Sequence, residues 1–268
     1  MLHIDHNGGF FSCCTIRLEK IIEYFNKNKQ LPLIIDSSEQ YRLYKYNNNN
    51  DITFDYFMDY KLSDNFNYIN DVYVTNENME QQFSDYKKLN YNLIEPFINK
   101  YFEPSNVVKK IIQEIEEKYN IDYENTCVVF YRGNCKQQET NLPSYNDYIE
   151  KINTIQNTNK NITFLFQSDE TEFLIYMNNI YNNNIILNDY IRHINKNNYT
   201  ETDKIDKKNN LEFSQKYLAI TIIMARCKYI ICNSGNCSLW IALYRFNSNN
   251  IIQYLNPLNS EIKNDYWI

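Results

Sequence analysis

Thr126-Cys127-Val128-Val129-Phe130-Tyr131-Arg132-Gly133-Asn134 is a β-rich apolar run that stops at a cation, a glycine and an amide. An uninterrupted apolar run closed by a turn signal reads as a strand buried on both faces, the kind found in parallel sheets. The pattern recurs twice. Residues 162–167 run into Ser168-Asp169-Glu170, and residues 229–232 run into Asn233-Ser234-Gly235-Asn236-Cys237-Ser238. Helical stretches separate them: 145–155 after the start signal Pro143-Ser144, 169–179 with Ser168 as N-cap, 211–226, and 237–246. Residues 185–187 and 251–254 supply two more short strands. Strands alternating with helices predict a mostly parallel sheet covered on both faces. Ligands of such sheets sit at the carboxyl ends of strands, where the connection order reverses.

Working back from this half, Leu2–Asp5, the turn Asn7-Gly8-Gly9 and a helix from Thr15 form a small βαβ unit with a strand over 31–35. Residues 37–101 are rich in tyrosine and hold the polar run 47–50, read as a loop. Within them 52–57 and 72–75 are expected as strands, and the tyrosines offer a stacking surface for sugars. Helices are expected over 97–102 and 104–118. The second of these carries Val107, Val108, Ile111, Ile112 and Ile115 on one face and charges on the other. It marks the division into an N-terminal α/β domain, 1–120, and a C-terminal Rossmann-like domain, 121–268.

Composition narrows the function classes. The chain has 268 residues, 43% of them hydrophobic and 16% aromatic, enough for real cores. Asn, Ile, Lys and Tyr are abundant, as in an AT-rich genome such as that of a giant DNA virus, an amoeba or an apicomplexan. Only four glycines occur, so each is expected where the backbone needs positive φ or a close approach. A net charge of −6 without a basic patch argues against nucleic acid as a partner. No apolar run is long enough to span a bilayer, and Met1–His6 lacks the features of a signal peptide, so a soluble cytoplasmic protein is expected. The seven cysteines show no zinc-ligand spacing and read as small buried hydrophobes; no metal and no cofactor are expected.

The three strand-end segments can carry chemistry. Arg132 followed by Gly133 can aim a rigid fork at a phosphate; the structural alternative is that it caps a helix or pairs with a surface acid. Ser168 and Asp169 open a helix whose amides suit an anion, or they only cap it. Ser234 to Ser238 offer small donors around Gly235, without the spacing of a Walker loop or a dinucleotide fingerprint.

In this order the segments resemble the fucosyltransferase-like glycosyltransferases, the group of protein O-fucosyltransferases and α1,6-fucosyltransferases. Phe130-Tyr131-Arg132 is similar to the group's His-x-Arg, and Gln167-Ser168-Asp169-Glu170 to its Thr-Asp-Asp or Thr-Asp-Glu. Asn233 to Ser238, with the helix ending at Arg245, resembles its hydroxyl-rich helix start. Asn7-Gly8-Gly9-Phe10-Phe11, with Arg17 in the next helix, resembles its Gly-Phe-Asn loop. The chain departs from the pattern with Phe130 in place of the histidine, Asn134 or Cys135 in place of a following acid, and Gly8 where some relatives have a Glu base.

The resemblance implies two facing Rossmann-like domains of GT-B type and transfer of a sugar, fucose from GDP-fucose first, to a hydroxyl acceptor without a metal. It places the nucleotide sugar on Arg132, Asn134, Ser168, Asp169, Ser234, Gly235, Asn236, Cys237 and Ser238, and puts Asn7, Gly8, Gly9 and Phe10 near sugar and acceptor. The acceptor is a glycan, a protein or a small molecule. His6 is the candidate base, since imidazole suits neutral pH. A UDP- or dTDP-linked donor, or a binding module that has lost catalysis, are the competing readings.

Overall fold

A computed structural model describes residues 1–46, 50–60, 70–76, 80–134, 136, 140–187, 207–255 and 266–268. The chain divides into two compact units. The first comprises Met1–Asn76, Leu89–Glu114 and Glu201–Ala219; the second comprises Glu77–Lys88, Ile115–Thr200 and Ile220–Ile268. The proposed boundary at 120/121 falls within the 115–200 segment of the second.

In the first unit, β1 (Leu2–His6), α1 (Phe10–Asn28) and β2 (Ile35–Gln40) form a βαβ unit with the two strands parallel. α1 buries Phe10, Cys14, Leu18, Ile21 and Phe25 and stops at Lys29, left-handed at φ 53°, whose N–H reaches the Phe25 carbonyl at 2.7 Å. The strand expected over 31–35 starts only at Ile35, because Leu33 and Ile34 are exposed; β2 instead buries Ile35, Ser37 and Gln40. Residues 52–57 are not a strand either. The Asp51 carboxylate accepts from the Thr53 N–H at 2.9 Å and starts the short helix α2 (Thr53–Tyr56). Of 72–75 only Thr75 makes a bridge, to Leu89. Helix α3 (Tyr91–Tyr101) begins well before the expected 97, and α4 (Asn106–Tyr119) buries Val108, Ile111, Ile112 and Ile115. Tyr41, Tyr44, Tyr56 and Tyr101 lie in the core, so these tyrosines offer no stacking surface. Three of them surround Phe10, at ring-centroid distances of 4.8 Å (Tyr56), 5.6 Å (Tyr41) and 5.9 Å (Tyr44).

The second unit is built on β3 (Thr126–Tyr131), α5 (Tyr145–Thr158), β4 (Thr163–Ser168), α6 (Thr171–Ile180) and β5 (Asn184–Ile186). Then follow α7 (Lys207–Arg226), whose residues up to Ala219 count with the first unit, β6 (Tyr229–Asn233), α8 (Asn236–Arg245), β7 (Ile251–Leu255) and β8 (Tyr266–Trp267). The strands form one sheet in the order β5-β4-β3-β6-β7-β8, parallel except for β8 at the edge. From β3 the chain steps outward through β4 to β5, then returns to the other side of β3 for β6 and β7. Right-handed crossovers then place α5 and α6 on one face and α7 and α8 on the other. Alternate residues Cys127, Val129, Tyr131, Phe164 and Phe166 do pack with Tyr148, Ile152, Phe173 and Met177 of α5 and α6. α7 and α8 are tied to each other by the Thr221 hydroxyl and Cys237 thiol at 3.6 Å. The fold is thus mixed α/β with parallel sheets. The six described cysteines are buried and free. No helix among the described residues is long and apolar enough to cross a membrane.

Candidate functional site

The reversal of strand order falls between β3 and β6, and their carboxyl ends are joined there by one side chain. Asn233, the last residue of β6, accepts the Arg132 N–H at 2.9 Å and donates its amide N–H to the Arg132 carbonyl at 3.0 Å. The Tyr148 hydroxyl braces the pair, 3.1 Å from the Asn233 Oδ1 and 3.0 Å from the Phe130 carbonyl. A buried amide that meets both backbone groups of Arg132 fixes where that residue leaves the sheet.

The Arg132 guanidinium forms an ion pair with Asp169 and also donates to the Asn134 carbonyl. Its side chain stays one-third exposed, against 18% for Asp169. Asp169 also accepts the Gly133 N–H at 2.9 Å, and its carbonyl accepts from the Asn134 amide at 2.7 Å. The loop after β3 and the loop after β4 are therefore one hydrogen-bonded body. Pairing with an acid, the structural alternative for Arg132, is realised, and the acid is a residue the sequence also singled out.

Gly133 is needed for close approach. A Cβ there would lie 2.0 Å from the Glu170 Oε1 and 2.5 Å from the Tyr131 ring. Glu170, buried beside it, accepts the Tyr145 hydroxyl at 2.5 Å. Burial, with a smaller contribution from Glu170, holds the Tyr145 and Tyr131 phenols well above their ordinary range. The helix expected from Asp169 begins instead at Thr171, with Glu170 at the N-cap and no side-chain cap. Ser168 does not cap it; its hydroxyl accepts the Glu170 N–H at 2.9 Å and shapes the turn.

On the β6 side, Gly235 adopts φ 157° and ψ 165°, a conformation reserved for glycine. It opens α8, which has no side-chain cap. The hydroxyls expected to serve a ligand are turned to the backbone: Ser234 donates to the Tyr254 carbonyl at 3.0 Å and Ser238 to the Asn233 carbonyl at 2.6 Å. Cys237 is buried against α7. Asn236 donates to Gln82 Oε1 at 3.1 Å, and Lys136 reaches the same oxygen at 3.1 Å. A Cβ on Gly235 would stand 3.5 Å from the Lys136 Cε and 3.9 Å from its Nζ, so the ammonium lies over the start of α8. Sequence reasoning missed Lys136 and Gln82, and it named Asn233 in its segment without the clasp on Arg132. The one available signal was the position of Lys136 in the loop that carries Arg132.

The remaining predicted residues belong to the first unit, on the turn from β1 into α1. His6 Nε2 lies 2.9 Å from the Ser12 Oγ, a partner not foreseen. Burial lowers the His6 pKa, partly opposed by Asp5. Gly8 lies against this pair; a Cβ there would be 3.0 Å from the His6 Nε2. Asn7 and Gly9 are exposed, and a Cβ on Gly9 would meet nothing, so neither positive φ nor close approach accounts for that glycine. Phe10 is buried in the aromatic core, its N–H held by the Tyr44 hydroxyl at 2.7 Å.

No protein-family model matches the chain, and no curated protein does. Solved structures align with part of it. NodZ α-1,6-fucosyltransferase soaked with GDP-fucose aligns at a TM-score of 0.41 and 10% identity, over 68% of this chain and 54% of that one. Fucosyltransferase NodZ from Bradyrhizobium gives 0.36 and 10%, over 59% and 47%. A mutant of Arabidopsis thaliana FUT1 in complex with GDP gives 0.39 and 11%, over 65% and 38%. The chain thus spans about half, or less, of the length of these proteins.

Proposed function

We propose that the protein is a glycosyltransferase that takes its sugar from a nucleotide diphosphate bound at the carboxyl edge of the second unit's sheet. One observation carries the reading: at the point where the strand order reverses, a single loop supplies two cations, Arg132 and Lys136. The second of these overlies an uncapped helix start opened by a glycine-only conformation. Cations and a helix N-terminus are what a diphosphate needs, and the crevice is where open α/β sheets bind ligands.

The hard step is breaking the sugar–phosphate bond through an oxocarbenium-like state. Charge then collects on the departing diphosphate, where Arg132 and Lys136 would stabilise it; losing one such donor typically costs about 3–4 kcal/mol of barrier. The Asp169 ion pair orients Arg132 beforehand and exchanges part of that pairing for the phosphate. His6 is the proposed base; its lowered pKa keeps it unprotonated at neutral pH and Ser12 fixes its ring. Fucose from GDP-fucose is the leading donor, on the motif order that resembles fucosyltransferases. A cytoplasmic location belongs to the same proposal, resting on cysteines that show no disulfide framework in sequence.

The test is a thermal-shift series with GDP, UDP, dTDP and GDP-fucose on the wild type, Arg132→Ala and Lys136→Ala. A GDP-selective rise in melting temperature, reduced in both variants, is the expected result. A rise with UDP or dTDP alone would move the donor. No rise with any nucleotide at millimolar concentration would sink the proposal, and binding without turnover of GDP-fucose would make the protein a binding module.

A further inference from the structure

Arg17 is a charged side chain sealed in the first unit, with no ion-pair partner among the described residues. It projects from α1 and is 1% exposed. Nη1 donates to the Ser37 hydroxyl on β2, and the buried Nε has no hydrogen-bond partner among the described residues. A guanidinium has five N–H donors, and an uncompensated buried charge is among the most destabilising features a core can hold.

The neighbours do not neutralise it. Cys14, Tyr41, Tyr60 and Tyr101 lie within its electrostatic reach, and burial pushes all four up, against the opposite pull of Arg17. They therefore stay protonated and neutral. Asp51 accepts the Ser37 and Thr53 N–H groups at 2.9 Å each. Tyr101, stacked edge-on to Tyr60 at 4.9 Å, carries a second buried orphan: its hydroxyl has no hydrogen-bond partner among the described residues. Tyr60, partly exposed, is the member of the cluster that reaches the surface.

We infer that Arg17 and Tyr101 form a receptor for one oxyanion, a carboxylate or phosphate group of a ligand that enters beside Tyr60. The guanidinium supplies charge and the unpaired Nε–H, and the phenol supplies a second donor. Two unsatisfied donors and one unanswered positive charge would be met by the same group. The inference stands apart from the proposed diphosphate site, whose cations Arg132 and Lys136 belong to the second unit.

The experiment is run in an Arg132→Ala background, so that anions at the proposed donor site do not contribute. Inorganic phosphate and acetate are titrated separately, with chloride matched for ionic strength, and melting temperature is followed. At least one of the two should raise it above the chloride control, and which one does identifies the oxyanion. Arg17→Met should abolish that rise, and Tyr101→Phe should weaken the apparent Kd by about threefold or more. If Arg17→Met does not fold, Tyr101→Phe decides, since it removes only an unpaired hydroxyl. No rise over chloride with either anion, or a rise unchanged by these substitutions, overturns the inference.

Discussion

His6 ties one residue's surroundings to the stability of the whole chain. Burial lowers its pKa in the fold, while the unfolded chain protonates this side chain near its ordinary value of about 6.5. Between the two values the unfolded state holds more protons, so stability falls as pH drops through that window. Asp36 acts elsewhere on the scale. Hydrogen bonds from Ser38 and then His3 hold its carboxyl at about 2, so its contribution is complete above the usual carboxylate range and is lost only on further acidification. His6→Gln keeps a polar partner for Ser12 but cannot titrate. The loss of melting temperature from about pH 7.5 to about pH 5.5 should be smaller in this variant than in the wild type. Equal losses would show that His6 is not responsible.

At the scale of elements, β4 holds both what an apolar pattern reveals and what it hides. Phe164, Leu165 and Phe166 are fully buried, and their run made the strand legible. Gln167 continues it, is 0% exposed, and leaves both amide atoms without partners among the described residues. Each unsatisfied buried polar group typically costs about 1–3 kcal/mol. Gln167→Leu, close in volume, should therefore raise stability by about 1 kcal/mol or more in urea unfolding; a decrease would mean that the amide has a partner in solution. The core strands and helices of the second unit were readable because burial on both faces writes itself as uninterrupted apolar sequence. The first unit was less so. Leu33 and Ile34 look like strand core but are exposed, while Ser37 and Gln40, polar by type, are the ones β2 buries.

Across the whole molecule, the candidate site was legible as three loops but not as a network. Arg132, Asp169 and Gly235 were found because each follows or begins an element with a local signature. Gln82 and Tyr86 were not, since they come from the 77–88 segment, which joins the second unit from far earlier in the chain and has no periodic pattern. Tyr86 nonetheless shares hydrogen bonds with Gly235, and Gln82 with both Lys136 and Asn236. Contacts between distant segments leave no trace in local spacing. The Asn233 clasp is of the same kind, and it has a consequence for time rather than geometry. The Arg132 amide lies beyond the last residue of β3, yet its hydrogen is held by a buried side chain, as the Gly133 hydrogen is by Asp169. In deuterated buffer both should exchange as slowly as amides in the middle of the strand, and Asn233→Ala should release the Arg132 amide first. Backbone so protected at Arg132 and Gly133 has surrendered its conformational freedom during folding, so a ligand bound there as proposed would meet a finished surface and give up little entropy to order it.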